Sequence, residues 1–221
     1  MTTIVTVGHF DSVNIADVSR IVQDFDANQA KGFPRLLRRQ LYSYSDLYIH
    51  VQDWAVDPTQ AEQTPPTDPR LVELDTELSK YFTEYCARPI WDGPVDATTA
   101  SRFYLWPGEH LPDYGKLHSA VIVNTQRHAD ILEVSRLFAD LDSTDFPHKM
   151  GTLRRQIFLY RGIYLHIQDF ASDDSREVID DAWKEADPRF LQIVDDLTPI
   201  VPPYDAAGGQ LADCFYRWAG E

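Results

Sequence analysis

Apolar positions follow two rhythms along this chain, and the whole pattern comes round twice. Thr3–His9 and His118–Asn124 are short β-branched runs of the kind that form strands. Asn14–Asp26 and Ala129–Asp142 follow with helical spacing. Ile15, Val18, Ile21, Val22 and Phe25 line one stripe, and Ile131, Leu132, Val134, Leu137, Phe138 and Leu141 the other. Two strands then form a hairpin in each half, joined near Ser45-Asp46 and Arg161-Gly162, where a glycine supplies the positive φ of a tight turn. Pro65-Pro66 breaks the chain before a second helix that starts at Asp68-Pro69, and Asp187-Pro188 repeats the signal, with Asp as N-cap and Pro at the first helical position. Val95–Trp106 and Leu211–Trp218 are expected to close each half with a strand. Strand, helix, strand, strand, helix, strand is the ferredoxin-like order. Such a sheet has helices on one face only, and the second copy is the natural cover for the other. The expected class is α+β: tandem ferredoxin-like βαββαβ repeats forming an intramolecular dimeric α/β-barrel.

The duplication is legible residue by residue. LRRQLYSYSDLYIHVQDW at 37–54 returns as LRRQIFLYRGIYLHIQDF at 153–170, with nine of the eighteen positions identical. Val18-Ser19-Arg20 returns as Val134-Ser135-Arg136, and Phe33-Pro34 as Phe146-Pro147. Asp68-Pro69-Arg70 returns as Asp187-Pro188-Arg189, and Phe103-Tyr104-Leu105-Trp106 as Phe215-Tyr216-Arg217-Trp218. A period of about half the chain is far longer than the ~20–50 residues of a solenoid unit. The reading is two repeats, 1–108 and 118–221, separated by a Pro- and Gly-containing linker at 109–117.

Composition narrows the function. The 221 residues are 43% hydrophobic, enough for two cores of ordinary domain size. A formal charge of −15 argues against nucleic acid or an anionic membrane as partner. No apolar run approaches the ~20 residues of a membrane span, and no signal pattern opens the chain. Cys86 and Cys214 sit at non-equivalent places without metal-type spacing, as expected of reduced thiols in a cytoplasmic protein. Each repeat offers one strand histidine rather than the three or four convergent ligands of a catalytic metal, so no metal site is expected. Gly208-Gly209 reads as a turn, which leaves nucleotide chemistry without a phosphate loop.

With a two-residue turn, alternation places Arg39, Leu41, Ser43, Tyr48, His50, Gln52 and Trp54 on one face of the first hairpin. The second hairpin gives Arg155, Ile157, Leu159, Tyr164, His166, Gln168 and Phe170. Arg38 then lies opposite Asp53, and Arg154 opposite Asp169, as cross-strand pairs of about 0.2–1 kcal/mol. The arginine, tyrosine, histidine and glutamine beside apolar walls suit a pocket for an apolar-aromatic ligand. Each histidine, taken alone, fits equally well as a hydrogen-bonded interior residue. Trp54, Trp106 and Trp218 fit both the pocket and the core, and His128 and His148 read as surface residues at a helix start and in a loop.

The Arg38-Arg39 through Asp46-Leu47-Tyr48-Ile49-His50 stretch resembles the tetracenomycin-cyclase-like aromatic polyketide cyclases. The resemblance covers both repeats, although Gly162-Ile163 replaces the Asp-Leu ahead of the second tyrosine. It implies cofactor-free aldol cyclisation and dehydration of a poly-β-ketone or partly cyclised intermediate from a type II synthase, in antibiotic biosynthesis, alongside an acyl carrier protein or other synthase components. By that resemblance His50 and His166 act as acid/base and Arg39 and Arg155 bind the oxyanion. Tyr48, Gln52, Trp54, Tyr164, Gln168 and Phe170 would bind substrate. Members often carry a histidine just before the aspartate late in the first helix; here Phe25 precedes Asp26 and Leu141 precedes Asp142. Two other readings stay open: a cofactor-free anthrone-type monooxygenase, and a non-catalytic polyketide-binding partner of a synthase.

Overall fold

The computed structural model describes residues 1–29, 35–55, 69–94, 98–108, 117–173, 187–201 and 210–220, with 177 and 181. Phe33-Pro34, Pro65-Pro66, Asp68, residues 109–116 of the linker and Gly208-Gly209 lie outside that set. The chain divides into two compact units, Met1–Tyr85 with Asp213–Glu221, and Cys86–Ala212.

In unit 1, β1 (Thr2–Phe10), β2 (Leu36–Tyr44), β3 (Leu47–Trp54), the short β4 (Phe82–Glu84) and β9 (Asp213–Ala219) form one antiparallel sheet in the order β4-β1-β3-β2-β9. Helices α1 (Ile15–Gln29) and α2 (Pro69–Leu78) cover one face. Val18, Ile21, Val22, Leu74 and Leu78 of the helices pack there on Phe10, Leu41 and Tyr48 of the strands. Burial of each such side chain stabilises by roughly 1.5–3 kcal/mol before chain entropy is counted.

In unit 2 the sheet order is β5-β7-β8-β6, from β5 (Ser101–Trp106), β6 (His118–Thr125), β7 (Arg154–Tyr160) and β8 (Ile163–Phe170). The helices described in it with their bounds are α3 (Ile131–Asp142), a single turn α4 (Phe146–Lys149) and α5 (Pro188–Leu197). Asp187 caps α5 as its sequence signal requires, its side chain accepting from the Arg189 N–H at 2.9 Å. Leu211 bridges to Ile122 beside β6.

Both hairpins have the expected register, Arg38 facing Asp53 and Arg154 facing Asp169 across two-residue turns. Arg161 and Gly162 both have positive φ (48° and 89°), whereas the first turn puts the non-glycine Ser45 at 55°.

The closing strands depart from expectation. The strand ending at Trp106 does not complete its own repeat's sheet; β5 pairs with β7 in unit 2, and β9 pairs with β2 in unit 1. The fourth strand of unit 1's ferredoxin-like order is the three-residue β4, too short to give a period-2 signal. His148 lies in α4 rather than in a loop, exposed as expected.

Candidate active site

In unit 1 the register places Arg39 opposite Gln52, Leu41 opposite His50 and Ser43 opposite Tyr48, so Arg39, Tyr48 and His50 share the face that the helices cover. Arg39 is 0% exposed, and none of its guanidinium nitrogens has a hydrogen-bond partner. Its nearest anion is Asp26 of α1, with Nη1 to Oδ1 at 3.5 Å, and its Cζ lies 5.2 Å from the Phe25 ring centre. The other Asp26 oxygen accepts from the Tyr216 hydroxyl at 2.9 Å, a residue carried in by β9. Burial holds the Asp26 carboxyl above its ordinary range, and the Arg39 charge and the Tyr216 hydrogen bond only partly offset this.

A relay fixes His50. Trp54 Nε1, which can only donate, bonds to Gln52 Oε1 at 3.1 Å. The Gln52 amide nitrogen therefore faces His50 Nε2, at 2.9 Å, and donates to it. Nε2 is thus the acceptor, and the ring proton sits on Nδ1. Burial, then the nearby Arg39 charge, pushes the His50 pKa well below its usual value, so the ring is neutral near pH 7. Tyr48 stacks on Phe82 with ring centres 3.9 Å apart, and its buried hydroxyl has no hydrogen-bond partner. Burial also raises its pKa, so it remains a donor. Tyr48 and His50 open onto a cavity of about 250 Å³, whose other walls include Thr6, Asp75, Leu78 and Phe82.

Unit 2 repeats the charged core and closes the space. Arg155 Nε lies 3.2 Å from Asp142 Oδ2, which accepts from the Tyr104 hydroxyl at 2.8 Å. Burial raises the Asp142 carboxyl and lowers His166, as in unit 1. The Phe138 ring, however, lies 5.0 Å from the His166 ring and 5.0 Å from the Arg155 Cζ. Gln168 turns to Thr152 Oγ1 at 2.5 Å, leaving His166 Nε2 without that donor. The cavity beside His166 and Arg155 holds about 20 Å³, room for about one water molecule. Tyr164 and Phe170 are packed into the apolar core.

Arg38 and Asp53 lie on the opposite face from His50, joined at 2.8 Å and 2.7 Å, with Thr3 Oγ1 donating to Asp53 at 2.6 Å. Arg154 and Asp169 pair likewise at 2.5 Å, with Ser119 on the second oxygen. All four are at most 1% exposed, so the small surface value does not apply: removing one partner strands a buried charge and costs about 3–5 kcal/mol.

Every expected site residue therefore sits on the helix-covered face of its sheet. Sequence reasoning gave no role to Asp26, Asp142, Tyr216, Tyr104 or Asp75. Asp26 and Asp142 left a signal, because each falls eight residues after the apolar-stripe positions Val18 and Val134, where the helical period turns an acid inward. The tyrosines left only their place in the repeated Phe-Tyr-x-Trp, since strand pairing over this distance has no local mark.

Two ferredoxin-like units, each holding an Arg–Asp–Tyr cluster beside a buried histidine, define a duplicated α+β scaffold. The chain belongs to the polyketide synthesis cyclase family, whose sequence model matches residues 2–107 and again 118–219. It is 31% identical over 108 residues to an uncharacterised protein of Streptomyces coelicolor, covering 46% of this chain and 95% of that one. It is 29% identical over 106 residues to tetracenomycin F2 cyclase of Streptomyces glaucescens, covering 46% and 94%. A putative monooxygenase from Lactobacillus acidophilus matches 99% of this chain and 97% of its own with a TM-score of 0.57. At 8% identity that likeness is one of fold alone. Among the described residues no helix is long and apolar enough to cross a membrane, and no group of three or more His, Cys, Asp or Glu is placed to hold a metal ion.

Proposed function

We propose that the protein cyclises a poly-β-ketone or partly cyclised intermediate of a type II polyketide synthase by intramolecular aldol condensation and dehydration, as a step in antibiotic biosynthesis. The observation that carries this reading is Arg39: a fully buried guanidinium with no hydrogen bond, close enough for its charge to act on Tyr48, His50 and Asp75 of the cavity wall. A buried cation left in that state fits a ligand that brings negative charge late, as an enolate or alkoxide does. The Tyr48 hydroxyl and the His50 Nδ1–H are neutral donors suited to the carbonyls that flank the reacting carbon. The apolar walls fold a flexible chain towards one geometry, which is itself a large part of the acceleration. The Nε2 lone pair of His50 is taken by Gln52, so in this reading the histidine donates rather than abstracts. An acyl carrier protein or another synthase component would deliver the substrate.

The test is product analysis of a minimal type II synthase reconstituted with this protein and with Arg39→Met. A new cyclised product is expected with the wild type, and a loss of about 10²–10³ in kcat with the variant. Methionine fills similar volume, and Asp26, whose carboxyl burial already holds above its ordinary range, can meet the loss of its counter-charge by protonating; the variant's circular dichroism and urea midpoint check that its fold is kept. A product profile unchanged by wild-type protein would overturn the reading, and dioxygen consumed in step with product would replace it with the monooxygenase.

A further inference from the structure

The two repeats are not equivalent where chemistry needs room and a base. Helices α2 and α5 are both ten residues long and both begin at the proline of the shared Asp-Pro-Arg, which aligns Asp75 with Val194. Hairpin registers align Thr6, opposite His50, with Ile122, opposite His166. The shared Val-Ser-Arg of the first helices aligns Val22 with Phe138, and the helix starts align Leu71 with Phe190. At each of these places the second copy carries the larger or the less polar side chain. Phe138 stands against His166, while Ile122, Phe138 and Phe190 line the remnant of about 20 Å³. The first copy keeps a cavity of about 250 Å³ with a carboxylate in its wall.

We propose that catalysis is confined to unit 1 and that Asp75 is its proton acceptor, unit 2 serving as a filled scaffold. This rests on the cyclase reading above. Asp75 sits on α2 with its outer side in solvent, and it lines the same cavity as Tyr48 and His50. The packed wall raises its carboxyl above the ordinary range and Arg39 draws it partly back, which makes it a stronger base than a free aspartate. Among the cavity's described side chains, Glu84 is the other carboxylate, and it lies at the sheet edge on β4.

Asp75 removes the proton from the carbon between two carbonyls, and the C–H pair becomes the enolate, whose oxygen accepts from the Tyr48 hydroxyl on the cavity wall while the buried Arg39 charge behind that wall offsets its negative charge. The enolate carbon bonds to the distal carbonyl carbon. The π pair of that carbonyl becomes an alkoxide, which takes the proton back from Asp75. Asp75 then takes the second α-proton, the new hydroxyl departs with it as water, and the carboxylate is regenerated. No oxidant or reductant enters.

The experiment compares Asp75→Asn, Asp75→Val (the residue of the second copy) and His166→Gln with wild type in the cyclisation assay. Asp75 is exposed on its helix, so neither of its variants disturbs the core. Expected are losses of about 10²–10⁴ in kcat for both Asp75 variants with KM changed by less than about threefold. The acid limb of the pH–rate profile should vanish in the residual activity of both Asp75 variants, whereas any loss in His166→Gln should track its folded fraction by urea titration and leave the acid limb in place. Wild-type kcat in Asp75→Asn, or a loss of the same size in folded His166→Gln, overturns the assignment while leaving the cyclase intact. A silent wild-type control overturns the cyclase reading, and the assignment with it.

Discussion

His50 and His166 show what burial beside a fixed cation does to one residue type. Both rings are held neutral, by desolvation first and by Arg39 or Arg155 second. The unfolded chain takes up a proton at each near pH 6.5 while the folded chain does not. Below that pH the unfolded state binds more protons, so stability falls as pH falls towards the depressed folded values and is unaffected above it. Each histidine adds a limiting slope of about 1.4 kcal/mol per pH unit. Asp26 and Asp142 act in the reverse sense: with folded pKa values raised above 3.8, they favour the folded state at the acid end and lose that contribution as pH rises through their window. Urea midpoints should fall between pH 6.5 and 5.5, and the combined His50→Gln, His166→Gln variant should show a flatter dependence. An identical slope in that variant would mean the histidines titrate normally in the folded protein.

At the level of the element, the hairpin turns decide which face each arginine joins, because a one-residue slip would move Arg39 to the Asp53 side. The two turns reach the same register from different positions of strain. Gly162 has φ of 89°, and a Cβ there would meet Arg88 Cβ at 2.9 Å, so Gly162→Ala should lower stability by about 1–3 kcal/mol. Ser45 sits at φ 55° with a side chain that gains nothing from that region, and Ser45→Gly should raise stability by up to about 1 kcal/mol. Paired denaturant titrations read both signs, and a gain at Gly162 or a loss at Ser45 would contradict the argument. Pairing by alternation was visible in the sequence because period-2 patterning and a short turn are local facts.

For the whole molecule, the strand that ends the chain matters most to the unit that begins it. β9 pairs with β2 along Arg38–Ser43 and delivers Tyr216 to Asp26, although residues 213–219 belong to the second sequence repeat. Removing 213–221 should therefore strip amide-exchange protection from β2 and leave the Asp26 carboxyl without its hydroxyl donor, while β7 and β8 keep theirs. Hydrogen exchange with mass-resolved peptides separates the cases, and a loss centred on β7 and β8 would refute the assignment of β9 to unit 1.

The sequence by itself determined the duplication, the βαββαβ order, the hairpin faces and the Arg, Tyr and His that share one of them. All of these follow from side-chain period, turn chemistry and self-similarity over short separations. Only the tertiary structure decided that β5 and β9 close sheets on the far side of the linker, that Asp26 and Tyr216 meet Arg39, and that one copy is hollow where the other is filled. Strand pairing at long separation depends on edges that no local pattern records. A cavity depends on positions far apart in the chain: Thr6 and Asp75 line the open one beside His50, while Ile122, Phe138 and Phe190 crowd the remnant beside His166.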